Sequence, residues 1–113
     1  MEWDEIKVLG FLESEPEILD SEYCGPSYEY KISKHDLCLG LSVSPLEGDL
    51  SIHIKMANIE KPILEYILLD CERMKILKDS QDNEILEIKA SDGMYLHISV
   101  QPSIHIKVGG HAL

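Results

Sequence analysis

The pentapeptide SIHIK occurs twice, at Ser51–Lys55 and Ser103–Lys107, with a histidine at the centre of each copy. A third histidine, His97, stands in MYLHISV just upstream of the second copy. Neutral imidazole is a good ligand for Zn²⁺, Cu²⁺ or Ni²⁺, and three histidines with an open position suit catalytic zinc. His53, His97 and His105 are therefore the candidate metal ligands. Two features oppose that use. No carboxylate shares their alternation to orient the rings, and Lys55 and Lys107 fall on the histidine side, where they repel a cation.

Alternation makes the geometry checkable. Directly opposed residues of an antiparallel pair share a face. If MYLHISV and SIHIKV form a hairpin with Leu, Ile and Val inward, opposed residue numbers add to an even total. A total of 202 sets His97 against His105; a total of 204 sets His97 against Lys107, with His105 one step diagonal. Either register holds the two histidines about 5–8 Å apart at Cβ. His53 joins them only if its strand lies beside one of theirs. The competing reading is plain: histidine covers the solvated side of an amphipathic strand.

Other chemistry has less support. Cys24, in YCGPS near Ser27, sits in a turn that could expose it, but no Gly-x-Ser-x-Gly elbow and no partner histidine accompany it. Cys38 and Cys71 fall in strands and read as small apolar residues. An odd count of three widely spaced cysteines, without Cys-x-x-Cys, suggests neither a disulfide framework nor a thiolate zinc site. The acids of ESEPE lie in an exposed segment, where a carboxyl makes a poor general acid. Gly109-Gly110 reads as a flexible release into the tail. No cofactor is expected, and the chain is expected not to be an enzyme.

Charge is the strongest bulk signal. The 113 residues carry a net charge of −11. Residues 1–29 hold nine acids against one base, Lys7, a balance of −8, whereas residues 30–113 hold twelve acids and nine bases, a balance of −3. Such a field repels nucleic acid phosphates and anionic headgroups, so neither nucleic acid nor a membrane is an expected partner. It attracts a cationic surface and speeds encounter with one. Glu13, Glu15, Glu17, Asp20 and Glu22 are the candidate partner-binding residues. The plainer alternative is that these acids only keep a small β protein soluble.

The elements that must position these residues are mostly strands. One domain is expected for residues 1–113: an acidic lead-in over 1–27, an antiparallel β core over 28–108 and a tail over 109–113. In the lead-in, Trp3, Ile6 and Leu9 or Gly10 could mark one face of a short helix, or Val8 to Leu12 could equally be a strand after a turn, and Pro16 could start a helical turn through Glu17, Ile18 and Leu19. From Tyr28 the period becomes two. YEYKI, LCLGLSV, LSIHIKM, MYLHISV and SIHIKV each alternate apolar with polar residues, and RMKILK and EILEIKA read as further strands, separated by turn signals. ILEYILLDC is apolar on both sides, the pattern of a helix or of a central strand covered on both faces, and its length and flanking proline predict the strand. About eight strands at this spacing predict a mostly β antiparallel meander forming a sandwich or a partly open barrel. The SIHIK copies end two similar units, around residues 30–56 and 87–108, each read as strand, tight turn, strand, proline corner, strand. The first corner is five residues longer.

The acidic N-terminus, MEWDEIKV, has acids where a secretory signal would carry bases, so a cytoplasmic location is expected. The profile of small size, acidity and cytoplasmic location resembles that of bacterial immunity proteins that neutralise basic nuclease toxins. It also resembles that of nucleic acid mimics that block DNA-binding proteins. Both imply a small acidic module that binds a basic partner protein. The alternatives are a metal- or small-ligand-binding domain using the histidine face, and a structural or self-associating subunit, a homodimer in the simplest case, that covers the apolar strand at Ile63–Leu69.

Overall fold

The computed structural model describes residues 1–21 and 25–110. Among these described residues one helix, α1 (Glu5–Leu12), precedes nine strands. β1 (Glu17–Ser21), β2 (Gly25–Lys34), β3 (Leu37–Ser44), β4 (Asp49–Met56) and β5 (Leu64–Leu68) form one sheet, each strand paired antiparallel with the next. β6 (Cys71–Lys78), β7 (Glu84–Ala90), β8 (Tyr95–Ser99) and β9 (His105–Gly109) form the second in the same sequential manner. The fold is thus a two-sheet antiparallel sandwich built from two meanders, and it does not close into a barrel.

Period-two alternation explains the core. In the first sheet Tyr30 opposes Leu41, Leu41 opposes Ile52, and Leu39 opposes Ile54, all buried. In the second, Leu86 opposes Ile98 and Ile88 opposes Leu96, all four fully enclosed. Each such aliphatic side chain contributes about 1.5–3 kcal/mol by leaving water. Among the described residues no charged side chain is buried with them. The Tyr30 phenol reaches this interior, and its burial, followed by the charge of Glu5, pushes its pKa up to about 12.

The lead-in differs from expectation in three ways. The helix exists, but it buries Val8, Phe11 and Leu12, while Ile6 is 82% exposed. The i, i+3, i+4 spacing of Val8, Phe11 and Leu12 makes the stripe, and Trp3 lies outside the helix, edge-on to Tyr28 with ring centroids 5.1 Å apart. Asp4 caps the helix by accepting from the N–H groups of Ile6 and Lys7 at 3.1 and 3.2 Å. Glu13 closes it in the left-handed region, with φ 52° and its N–H donated to Leu9. Glu17, Ile18 and Leu19 form strand β1 rather than a helical turn, because an edge position beside β2 is open to their extended backbone.

Two more corrections concern strands. ILEYILL is not central: β5 is the edge of its sheet, and Ile67 is 70% exposed. Gly109 belongs to β9 and does not begin the tail; a Cβ there would overlap the Tyr95 ring, which lies across it from β8.

The two SIHIK units occupy equivalent places, β2–β3–β4 and β7–β8–β9, one in each sheet. Their registers differ. His53 opposes Gly40 in the first, whereas in the second His97 opposes Lys107 and Ser99 opposes His105, the 204 register.

Candidate partner-binding surface

The outer face of the second sheet is occupied by side chains that bind one another. One row across it reads Lys75, Glu87, His97, Lys107. His97 Nε2 lies 2.8 Å from Glu87 Oε2, and the two side chains are only 27% and 15% exposed. A carboxylate can only accept, so the imidazole donates. The Tyr95 ring lies against His97, tilted by 39° with centroids 4.7 Å apart. The expectation that no carboxylate accompanies these histidines is overturned. EILEIKA already puts Glu87 on the polar side of its strand, and the SDG turn pairs that strand with MYLHISV. The carboxylate comes from the neighbouring strand, which alternation within one strand does not reveal.

The three candidate metal ligands do not converge. His97 and His105 sit diagonally in the second sheet, and His105 Nε2 lies 3.0 Å from Ser103 Oγ. His53 is in the other sheet. Among the described residues no three His, Cys, Asp or Glu side chains group as a metal site. Cys71 is buried, and burial, followed by the charge of Asp49, pushes its thiol up to about 11. Cys38 lies on the outer face of the first sheet, its Sγ 3.3 Å from Ser33 Oγ. Cys24 lies outside the described residues.

That outer face of the first sheet is built differently. Its row reads Lys31, Gly40, His53, Glu65. A Cβ on Gly40 would overlap the His53 ring, so the glycine lets the imidazole lie flat on the sheet. An open hollow of about 570 Å³ results, bounded by Lys31, Cys38, His53, Lys55 and, on the β5 side, Glu60 and Glu65.

Glu13, Glu15, Glu17 and Asp20 are all exposed, and Glu22 lies outside the described residues. They are not one patch. Glu13 borders a hollow with Asp82 and Glu84 of the β6–β7 hairpin. Glu17 stands opposite Glu29 on β2. Asp20 lies on the other side of β1, where burial, Glu5 and then Asp20 raise the Tyr28 phenol above its ordinary value; Tyr28 Oη donates to Glu5 Oε1 at 3.3 Å. The acids thus flank the β1 edge on both sides and continue onto one neighbouring hairpin. Glu2 and Asp4 have structural work: Glu2 pairs its backbone with β6 at Arg73, and Asp4 caps α1.

The apolar strand Ile63–Leu69, which the sequence marks for self-association, belongs to a longer exposed stretch from Met56 to Leu69. Six of the twelve most exposed large apolar side chains among the described residues lie there: Met56, Ile59, Ile63, Leu64, Ile67 and Leu69. Two-sided apolarity was the available signal, and it marks an uncovered edge as readily as a buried centre.

No helix among the described residues is long and apolar enough to cross a membrane. No family model and no curated protein matches the chain. Among solved structures, it is similar to a chain of the contact-dependent growth inhibition toxin - immunity protein complex from Klebsiella pneumoniae 342. The match has a TM-score of 0.81 at 22% identity and covers 97% of this chain and 96% of that one. At that identity the likeness is one of fold: the whole two-sheet sandwich, from end to end, is an architecture the two chains share.

Proposed function

We propose that this chain is a non-enzymatic, cytoplasmic binding module that docks on a basic partner protein and neutralises it, as an immunity protein does. The observation that carries this reading is the whole-length fold likeness to a chain from a toxin–immunity complex. The charge of −11 supports the neutralising role over the toxic one. A field of that sign repels the phosphates a nuclease must approach and draws in a cationic surface, raising the rate of encounter. Glu13, Glu15, Glu17 and Asp20, exposed around the β1 edge, would supply part of that field together with the charge of Glu22.

The test is capture of a partner from the native host by the wild-type chain and by a variant carrying Glu13→Gln, Glu15→Gln, Glu17→Gln and Glu22→Gln. The captured protein is then purified and titrated against both chains at low and raised salt. A basic protein that forms a stoichiometric complex, weakened by salt and by the variant, supports the reading. A neutral or acidic partner, or affinity indifferent to both changes, would overturn it.

A further inference from the structure

The sandwich has four sheet edges, and they are not equally protected. β6 is covered by the N-terminal segment: the Glu2 N–H donates to Glu72 O, and the Met74 N–H donates to Glu2 O, both at 2.9 Å. β1 carries the charges of Glu17 and Asp20, and β9, only five residues long, carries that of Lys107 and ends in Gly109. Charged side chains of this kind are how natural edges avoid unwanted pairing. β5 has one charge, Glu65, among Leu64, Tyr66, Ile67 and Leu68. Beside it Ile63 and Leu69 are each 60% exposed.

We infer that β5 is the docking edge, and that its occupant is an extended, basic, partly apolar segment of the partner protein, added to the sheet as a sixth strand beside β5. This rests on the proposed function for the partner's charge. Strand addition gives affinity through main-chain hydrogen bonds, while alternate side chains give specificity. Residues facing outward on β5 are Glu65 and Ile67, so the added strand fits best with a lysine or arginine beside Glu65 and an aliphatic residue beside Ile67. Around the edge, Glu60, Glu65 and Asp70 stand against a single base, Lys61, over residues 57–70. The same charges, with −11 on each chain, disfavour a second copy as the occupant. The acids about β1 then act at long range, and β5 makes the contact.

The probe is a synthetic Lys–Val peptide of valines with a single lysine, placed two residues from the valine that meets Ile67 so that both face outward, and the same peptide with glutamate in place of the lysine is its control. The readout is amide hydrogen exchange of the full chain. We expect the Lys–Val peptide to slow exchange across Leu64–Leu68 and the control to leave it unchanged. Ile67→Lys, at a position too exposed to matter to the fold, should weaken the peptide about tenfold. Slowing confined to β1, or no slowing anywhere, would overturn the inference. So would a dimeric mass for the free chain with Leu64–Leu68 already protected, which would assign the edge to a second copy. The two proposals fail separately. A captured basic partner that ignores Ile67→Lys sinks the β5 inference and leaves the function. Peptide protection at β5 without any basic partner does the reverse.

Discussion

The two SIHIK strands share five residues and meet different neighbours. On β4, His53 lies exposed on Gly40 and borders an open hollow. Near β9, the corresponding face is closed: His97 is held by Glu87 and by Tyr95, whose ring covers Gly109. The five residues being the same, the difference comes from register and from the facing strands. Both registers keep Ile inward, because a shift of two residues preserves the face. The shift changes only which residue a histidine opposes, glycine in one sheet and serine in the other. One outer face is left open beside an unguarded edge, while the other satisfies itself.

The largest test of this contrast is in the core. Ile52 and Ile104 are the first isoleucines of the two copies, 1% and 9% exposed. Ile52→Ala should cost about 3–5 kcal/mol in urea unfolding, and Ile104→Ala, in the corner before β9, about 2 kcal/mol. Equal losses would mean that the two strands are anchored alike.

Next is a rate. Cys71, with its thiol raised to about 11, should have roughly a hundredth of the thiolate of an ordinary cysteine at pH 8. A disulfide reagent on the folded chain should therefore label Cys38 well before Cys71, with the sites read by peptide mass spectrometry. Simultaneous labelling would show that the sheets part easily at the start of β6.

A double-mutant cycle on Glu87→Gln and His97→Ala should give about 1–2 kcal/mol of coupling, since the bond is charge-assisted and mostly shielded. The opposed pair His53 and Glu65, both exposed, should give less than about 0.3 kcal/mol. Comparable values in the two cycles would erase the distinction between the faces.

The smallest effects are at the glycines. Gly109→Ala should cost about 1 kcal/mol, because Tyr95 is wedged against His97 and cannot yield freely. Gly40→Ala should stay within about 0.5 kcal/mol, since the His53 ring can swing into solvent. The reverse order, read by thermal unfolding, would place the rigid face on the first sheet.

Much of this was legible from alternation. Tyr30, Leu39, Ile52, Leu96 and Ile98 could be placed inward without any partner strand, because successive side chains of a strand point to opposite faces. Short turns between such strands made sequential antiparallel pairing the natural expectation, and both sheets follow it. The split of the chain at Asp70 into two sheets was not legible, and neither was the edge position of β5. The apolar pattern of ILEYILL is the same whether another strand covers it or nothing does.

By itself, then, the sequence determined the side of the strand each residue occupies, the aliphatic core and the acidic excess toward the N-terminus. These are local properties of a period-two chain and its composition. Only the tertiary structure decided that Glu87 faces His97, that His53 stands alone on Gly40, and that β5 ends its sheet. Each of those depends on which backbone lies alongside. A strand's N–H and C=O groups are satisfied equally well by any extended neighbour, so the choice belongs to the packing of the whole chain.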